Sequence, residues 1–145
     1  MEELIKAMKV SLADTFAFYL KAHGFHWNVT GPDFQEYHAF LGDLWEEVFG
    51  AVDLIAEGIR TLDAFAPSSL GRMKELATVQ DDTTIPSAID MIKKLAADND
   101  KVLASLTKAY ELAEKNKKYG ISNFLQDRIT AHEKHGWMLR SFTKA

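Results

Sequence analysis

The chain has 145 residues, 47% of them apolar and 26% charged, with only 3 prolines, 8 glycines and no cysteine. That length suits one domain with a real core, and the scarcity of helix breakers favours long helices over many short strands. The missing cysteines exclude disulfides and thiolate metal sites, and a formal charge of −4 gives no general attraction for phosphate polymers.

The N-terminal stretch Met1 to Val10 mixes Glu2, Glu3, Lys6 and Lys9 with apolar residues, unlike a signal peptide, and no apolar run reaches membrane-spanning length. A cytoplasmic protein with no membrane partner is expected. Residues Glu2 to about Val29 read as a first helix, because Leu12, Phe16, Tyr19, His23 and His26 recur at steps of three or four. Gly31-Pro32 ends it, since the residue before proline is pushed out of the α region. Asp33 is then placed to cap a second helix, with Glu36 completing a capping box. That helix is predicted to run to about Phe65 on a stripe of Phe34, Tyr37, Leu41, Trp45, Val48, Val52, Ile55, Ile59 and Leu62.

Pro67-Ser68-Ser69 breaks the pattern, and Leu70 to Leu76 can form a short helix before the polar stretch Gln80 to Thr84. A third long helix is predicted from near Pro86 to about Lys118, and a fourth, after Gly120, from about Ser122 to Thr143. Short turns pair helices one with two and three with four as antiparallel neighbours, while a link of roughly twenty residues joins the pairs. The expected fold is all-α: one ferritin-like four-helix bundle over residues 1–145, with a long crossover holding a small extra helix. An up-up-down-down order of the long helices is expected with it.

Helix two carries a second stripe. At about 100° per residue, His38, Gly42, Glu46, Phe49, Asp53, Ala56, Glu57 and Arg60 gather beside the main apolar face. A solvated face rarely holds Phe49 between Gly42 and Ala56, so a symmetric contact between two copies is the expected use. Asp53 and Glu57 sit one turn apart and can project to one point. Imidazole and carboxylate together suit a first-row metal such as iron, manganese or zinc. Taken singly these signals have plainer readings: an acidic edge for Asp53 and Glu57, a helix-end residue for His26, a hydrogen-bonded core residue for His38.

Several segments together carry a resemblance: His26-Trp27-Asn28-Val29-Thr30-Gly31-Pro32-Asp33-Phe34, His38, Asp53-Leu54-Ile55-Ala56-Glu57, Ser122 to Asp127 and His132 to Met138. In them the chain resembles the Dps family of mini-ferritins, the DNA-protection-during-starvation proteins. The resemblance implies a dodecameric shell around an iron store, and Fe(II) bound and oxidised at inter-subunit sites. It implies His26 and His38 from one subunit and Asp53 and Glu57 from its two-fold partner as metal ligands and catalytic residues. Hydrogen peroxide is the oxidant it favours, with dioxygen the other. Trp27 would lie beside the site, intercepting oxidising equivalents or simply packing at the interface.

The chain departs from that family in places. Gly42 stands where an aspartate is frequent, with Glu46 one turn on as a possible substitute, and Gly58 replaces a frequent arginine. Asn123 stands where the acidic pore of the family often has aspartate, with Asp127 one turn later; Glu114 receives no role. Twelve copies at −4 each come to −48, so DNA binding is not expected. No Glu is followed three residues later by His, so a di-iron site inside one subunit's bundle is poorly supplied. His132 and His135 are assigned to surface or packing roles. Two other readings stay open: a nucleoid-binding or structural shell with a degenerate metal site, and a small helical interaction module.

Overall fold

The computed structural model of the chain describes residues 1–144. Among them are five helices and no strand: α1 Glu2–Asn28, α2 Phe34–Arg60, α3 Leu70–Leu76, α4 Ala88–Lys115 and α5 Tyr119–Ser141. The long helices α1, α2, α4 and α5 form the bundle, and α3 lies in the crossover against α1.

Pairing fixes the directions. His26 meets His38, His23 meets Trp45 and Tyr19 meets Phe49, so numbers rise on α1 as they fall on α2. Asn99 bonds His132 and Tyr110 bonds Gln126, which sets α4 against α5 in the same way. Ser11 with Ser105 and Lys21 with Asp98 do so for α1 and α4. The order is therefore up, down, down, up rather than up-up-down-down. The crossover carries the chain back along the bundle, leaving α2 and α4 parallel.

The core stripe of α1 is Leu4, Met8, Leu12, Phe18, Ala22 and Phe25, all buried. Of the residues expected to define that stripe only Leu12 lies in it; Phe16, Tyr19, His23 and His26 are half-buried on a neighbouring sector facing α2. On α2 the buried positions are Leu41, Leu44, Val48, Ala51, Ile55 and Ile59. Each such large side chain adds about 1.5–3 kcal/mol by leaving water, and this face holds α2 to the bundle. Phe34 is exposed, and Trp45 and Val52 are half-buried.

Helix ends moved by a few residues. Asp33 occupies the N-cap position of α2, but with φ 62 it is left-handed and its side chain caps nothing. Its backbone carbonyl accepts from Tyr37 instead. α2 stops at Arg60, where Asp63 turns left-handed and the Arg60 guanidinium bonds the Ala64 carbonyl. Pro86 precedes α4 rather than opening it, because Ser87 takes the cap by accepting from the Asp90 N–H. α4 ends at Lys115, before the left-handed Lys117, and α5 begins at Tyr119 with Gly120 inside it.

The crossover is pinned by Asp14, a fully buried carboxylate at the middle of α1. It accepts from the Thr78 N–H at 2.6 Å, the Thr78 hydroxyl at 2.8 Å and the Val79 N–H at 3.0 Å. These bonds satisfy a carboxylate that would otherwise be very costly to bury.

Candidate metal centre

His26 ends α1 and His38 begins the second turn of α2, and the tight Gly31-Pro32 turn brings them face to face. Their rings stack with centroids 3.8 Å apart and planes inclined by 12°. His26 Nδ1 lies 2.7 Å from the His38 carbonyl oxygen, and His38 Nδ1 lies 2.8 Å from the His26 carbonyl oxygen. A carbonyl can only accept, so each Nδ1 must carry the proton and donate. In the neutral imidazoles this leaves Nε2 with a bare lone pair, the form that ligates a metal.

The stack also limits what those lone pairs can reach. An imidazole binds an ion lying in its own ring plane, about 2 Å from nitrogen. Planes 12° apart and separated by van der Waals contact meet only some 16 Å away, far beyond that ligand distance. Lone pairs in rings so stacked cannot both be directed at a single point within ligand distance.

Asp53 and Glu57 are exposed on α2 one turn apart. The Asp53 carboxylate, by hydrogen bonding and then by its charge, raises the Glu57 carboxyl above its usual range. That repulsion is what a bound cation relieves. Yet His38 and Asp53 are fifteen residues apart on one straight helix, about 22 Å along its axis, so one chain cannot bring them to one ion. Among the described residues, no three His, Asp or Glu side chains of this chain converge as a metal-binding group.

Around the histidines lies an aromatic cluster. His23 stacks on Trp45 at 3.8 Å and 10°, sits 4.1 Å from Trp27, and its Nδ1 is 3.0 Å from the Tyr19 hydroxyl. Burial and then the charge of His26 lower the His23 pKa, against an opposing pull from Glu46. Glu46 is exposed and its field is felt at His23. Gly58 faces the Met8 methyl, 3.1 Å from where its Cβ would be; an arginine there would have to displace Met8. Asn123, Asp127 and Glu114 are all exposed helix positions.

A second polar cluster went unread in the sequence. Glu47 of α2 takes a two-pronged bond from Arg128 of α5, at 2.6 and 2.9 Å, and a third from His135 Nε2 at 2.7 Å. Burial opposes ionisation of Glu47, but His135 and Arg128 together hold its carboxyl well below the usual range. His132 is fully buried, with Nδ1 2.8 Å from Asn99 Oδ1, and burial followed by the charge of Arg128 keeps it neutral. His132 and His135 are thus packing residues inside the bundle, not surface ones. Their spacing with Arg128 along one face of α5 was the available signal.

Exposed apolar side chains frame the α2 stripe: Trp27, Phe34, Phe49 and Leu54 are 41–60% exposed. On this face free carboxylates lie beside bare aromatic rings, a larger apolar exposure than a solvated helix face ordinarily carries.

The profile of the ferritin-like domain family matches residues 5–145. The chain is 29% identical to DNA protection during starvation protein 2 of Bacillus anthracis, over 97% of each chain. It is 30% identical to a low temperature-induced protein of Nostoc sp., over 96% of this chain and 79% of that one. The crystal structure of a Dps protein from Vibrio cholerae superposes with a TM-score of 0.94 at 28% identity, covering 99% of this chain and 90% of that one. That protein is described as a member of a broad superfamily of ferritin-like diiron-carboxylate proteins. The chain belongs to the ferritin-like family, within its Dps branch.

Proposed function

We propose that this protein is an iron-oxidising, iron-storing mini-ferritin whose metal sites form between two-fold related copies. The observation that carries the reading is the exchange of Nδ1–carbonyl bonds between His26 and His38, which leaves two fixed, bare Nε2 donors. Supporting it are the Asp53–Glu57 pair and the exposed apolar stripe that holds them.

The geometry suggests how two copies meet. For His38 of one chain to face Asp53 and Glu57 of the other, the two α2 helices run antiparallel about an axis near the middle of that interval. Glu46 and Phe49 lie there. Phe49, 49% exposed, would cross the axis and exclude water from the sites. A second exposed apolar group, Trp137 beside Phe40 and Phe142, supplies a further contact of the kind a closed dodecamer requires.

In this reading Fe(II) is the substrate. His26 and His38 each hold one ion, and the partner's carboxylates complete both coordination shells and balance charge. Two Fe(II) ions give up one electron each to hydrogen peroxide; the O–O bond breaks, and two protons complete two waters. Pairing the electrons avoids release of a hydroxyl radical, and Fe(III) moves inward to be stored as mineral. Dioxygen is the slower oxidant. The protein acts in the cytoplasm and does not hold duplex DNA: at about 0.15 M salt a gel shift is expected to show free DNA.

The test is anaerobic Fe(II) loading followed by peroxide, with light scattering on the same samples. Replacing His26 and His38 together by alanine should slow oxidation at least tenfold and leave the shell assembled. Unchanged oxidation defeats the site assignment. A wild-type shell that assembles but oxidises nothing points instead to a structural shell with a degenerate site, and a monomer removes both.

A further inference from the structure

A groove of about 960 Å³ runs between the first turns of α1 and the C-terminal half of α4. The short side chains Ala7, Val10 and Ala104 line it, so the space between the two helices is left unfilled. Thr78, tied to Asp14, borders the end farther along α1. α1 packs on α2 and α4 on α5, which puts this face on the opposite side of the bundle from α2 and α5. A contact between copies through the α2 stripe leaves the groove open.

The rim of the groove is cationic. Lys101, Lys108 and Lys115 recur every seven residues, which places them in one row about 21 Å long. Ser11 faces Ser105 across the antiparallel pair, so Lys6 falls opposite the stretch between Lys108 and Lys115. All four lysines are exposed, and none makes an ion pair among the described residues. Glu3 and Glu111 also line the groove, so two positive charges remain in excess there. The chain as a whole is at −4.

Apolar walls give nothing to an inorganic anion, and unpaired ammonium groups give nothing to a neutral lipid. Another helix, about 10 Å across, is too wide to sink between neighbours whose axes lie about 8–10 Å apart. A single methylene chain is not. We propose that the α1–α4 groove binds a free long-chain carboxylate. Its chain lies along Ala7, Val10 and Ala104, and its headgroup sits among Lys6, Lys108 and Lys115. This site is independent of the iron chemistry above.

Calorimetric titration of the purified protein with decanoate, below its micelle concentration, tests the proposal. Decanol is the neutral probe and inorganic phosphate the probe without a chain. Decanoate should bind at least tenfold more tightly than decanol, and phosphate should not displace it. A fully buried methylene is worth about fourfold in affinity, so dodecanoate should bind at least fivefold more tightly than decanoate. Ala104 is exposed, so Ala104→Trp fills the groove without disturbing the core and should weaken decanoate at least tenfold. Replacing Lys6, Lys108 and Lys115 together by glutamine should bring decanoate down to the affinity of decanol. Equal binding of decanoate and decanol, displacement by phosphate, or an unchanged affinity in Ala104→Trp overturns the proposal. Binding to vesicles of anionic phospholipid without binding of free decanoate assigns the face to a membrane surface and overturns it too. Should the triple variant not fold, Ala104→Trp and the probe series decide alone.

Discussion

His26 and His38 hold each other by a reciprocal pair of hydrogen bonds, ring nitrogen to backbone carbonyl, at 2.7 and 2.8 Å. Each ring is oriented by the other residue's main chain, so removing one side chain leaves the other's anchor intact. In calorimetric titration with Co(II), single replacements, His26→Ala or His38→Ala, are expected to abolish one binding step each while the other survives. Loss of both steps from either single change would show that the rings act on one ion.

Phe49 offers a test of assembly. It touches Tyr19 at 4.7 Å but is half exposed, so Phe49→Arg should cost little within one subunit. Across the proposed two-fold axis it sets two like charges together. Light scattering should show a shift to small species with helical circular dichroism unchanged. A variant that remains a full shell rules out an axis at this point.

Glu47 is a tie between α2 and α5. Glu47→Ala leaves Arg128, 7% exposed, without its counter-charge. Breaking a buried pair costs several kcal/mol, and the partial exposure of Glu47 reduces this to about 2 kcal/mol. Denaturant unfolding measures it. Leucine at both 47 and 128 should recover most of the loss, since two apolar side chains leave no stranded charge.

Acid should weaken the fold in two steps. His132 is depressed below its ordinary 6.5, so the unfolded chain takes up a proton that the folded chain refuses. Stability falls as pH drops below 6.5 and goes on falling until the depressed value is reached. Glu47 is also depressed, so its contribution is present above 4.5 and is lost as pH falls further. Proton uptake on unfolding, followed by calorimetry, should lose the first step in His132→Gln. A flat profile between pH 7 and pH 5 would contradict the neutral, buried state of His132.

Metal uptake has its own pH dependence. The raised Glu57 carboxyl must release a proton before it can ligate, so Co(II) affinity should fall with decreasing pH sooner than for an isolated glutamate. Asp53→Asn removes the cause of the shift and should move that fall to lower pH, even as it weakens binding overall. If the fall stays in place, Asp53 is not what holds the Glu57 proton.

The element order and the residues of interest were written in the sequence, because helical periodicity, Gly31-Pro32 and Pro67 are local signals, and so are His26, His38, Asp53 and Glu57 as residue types. Helix ends were not, since Asp33, Asp63 and Lys117 adopt left-handed backbone that only the surrounding packing selects. Nor was the inward face of α1: Tyr19 and His23 repeat with the same period as Phe18 and Ala22, and periodicity alone cannot say which sector meets α2 and which fills the centre. Only the tertiary structure decided that Glu47, Arg128, His132 and His135 form one hydrogen-bonded network, or that the two site imidazoles stack in nearly parallel planes over Gly42. Such facts depend on residues far apart in the chain meeting at defined distances and angles, and spacing along one helix carries no information about the helix that will face it.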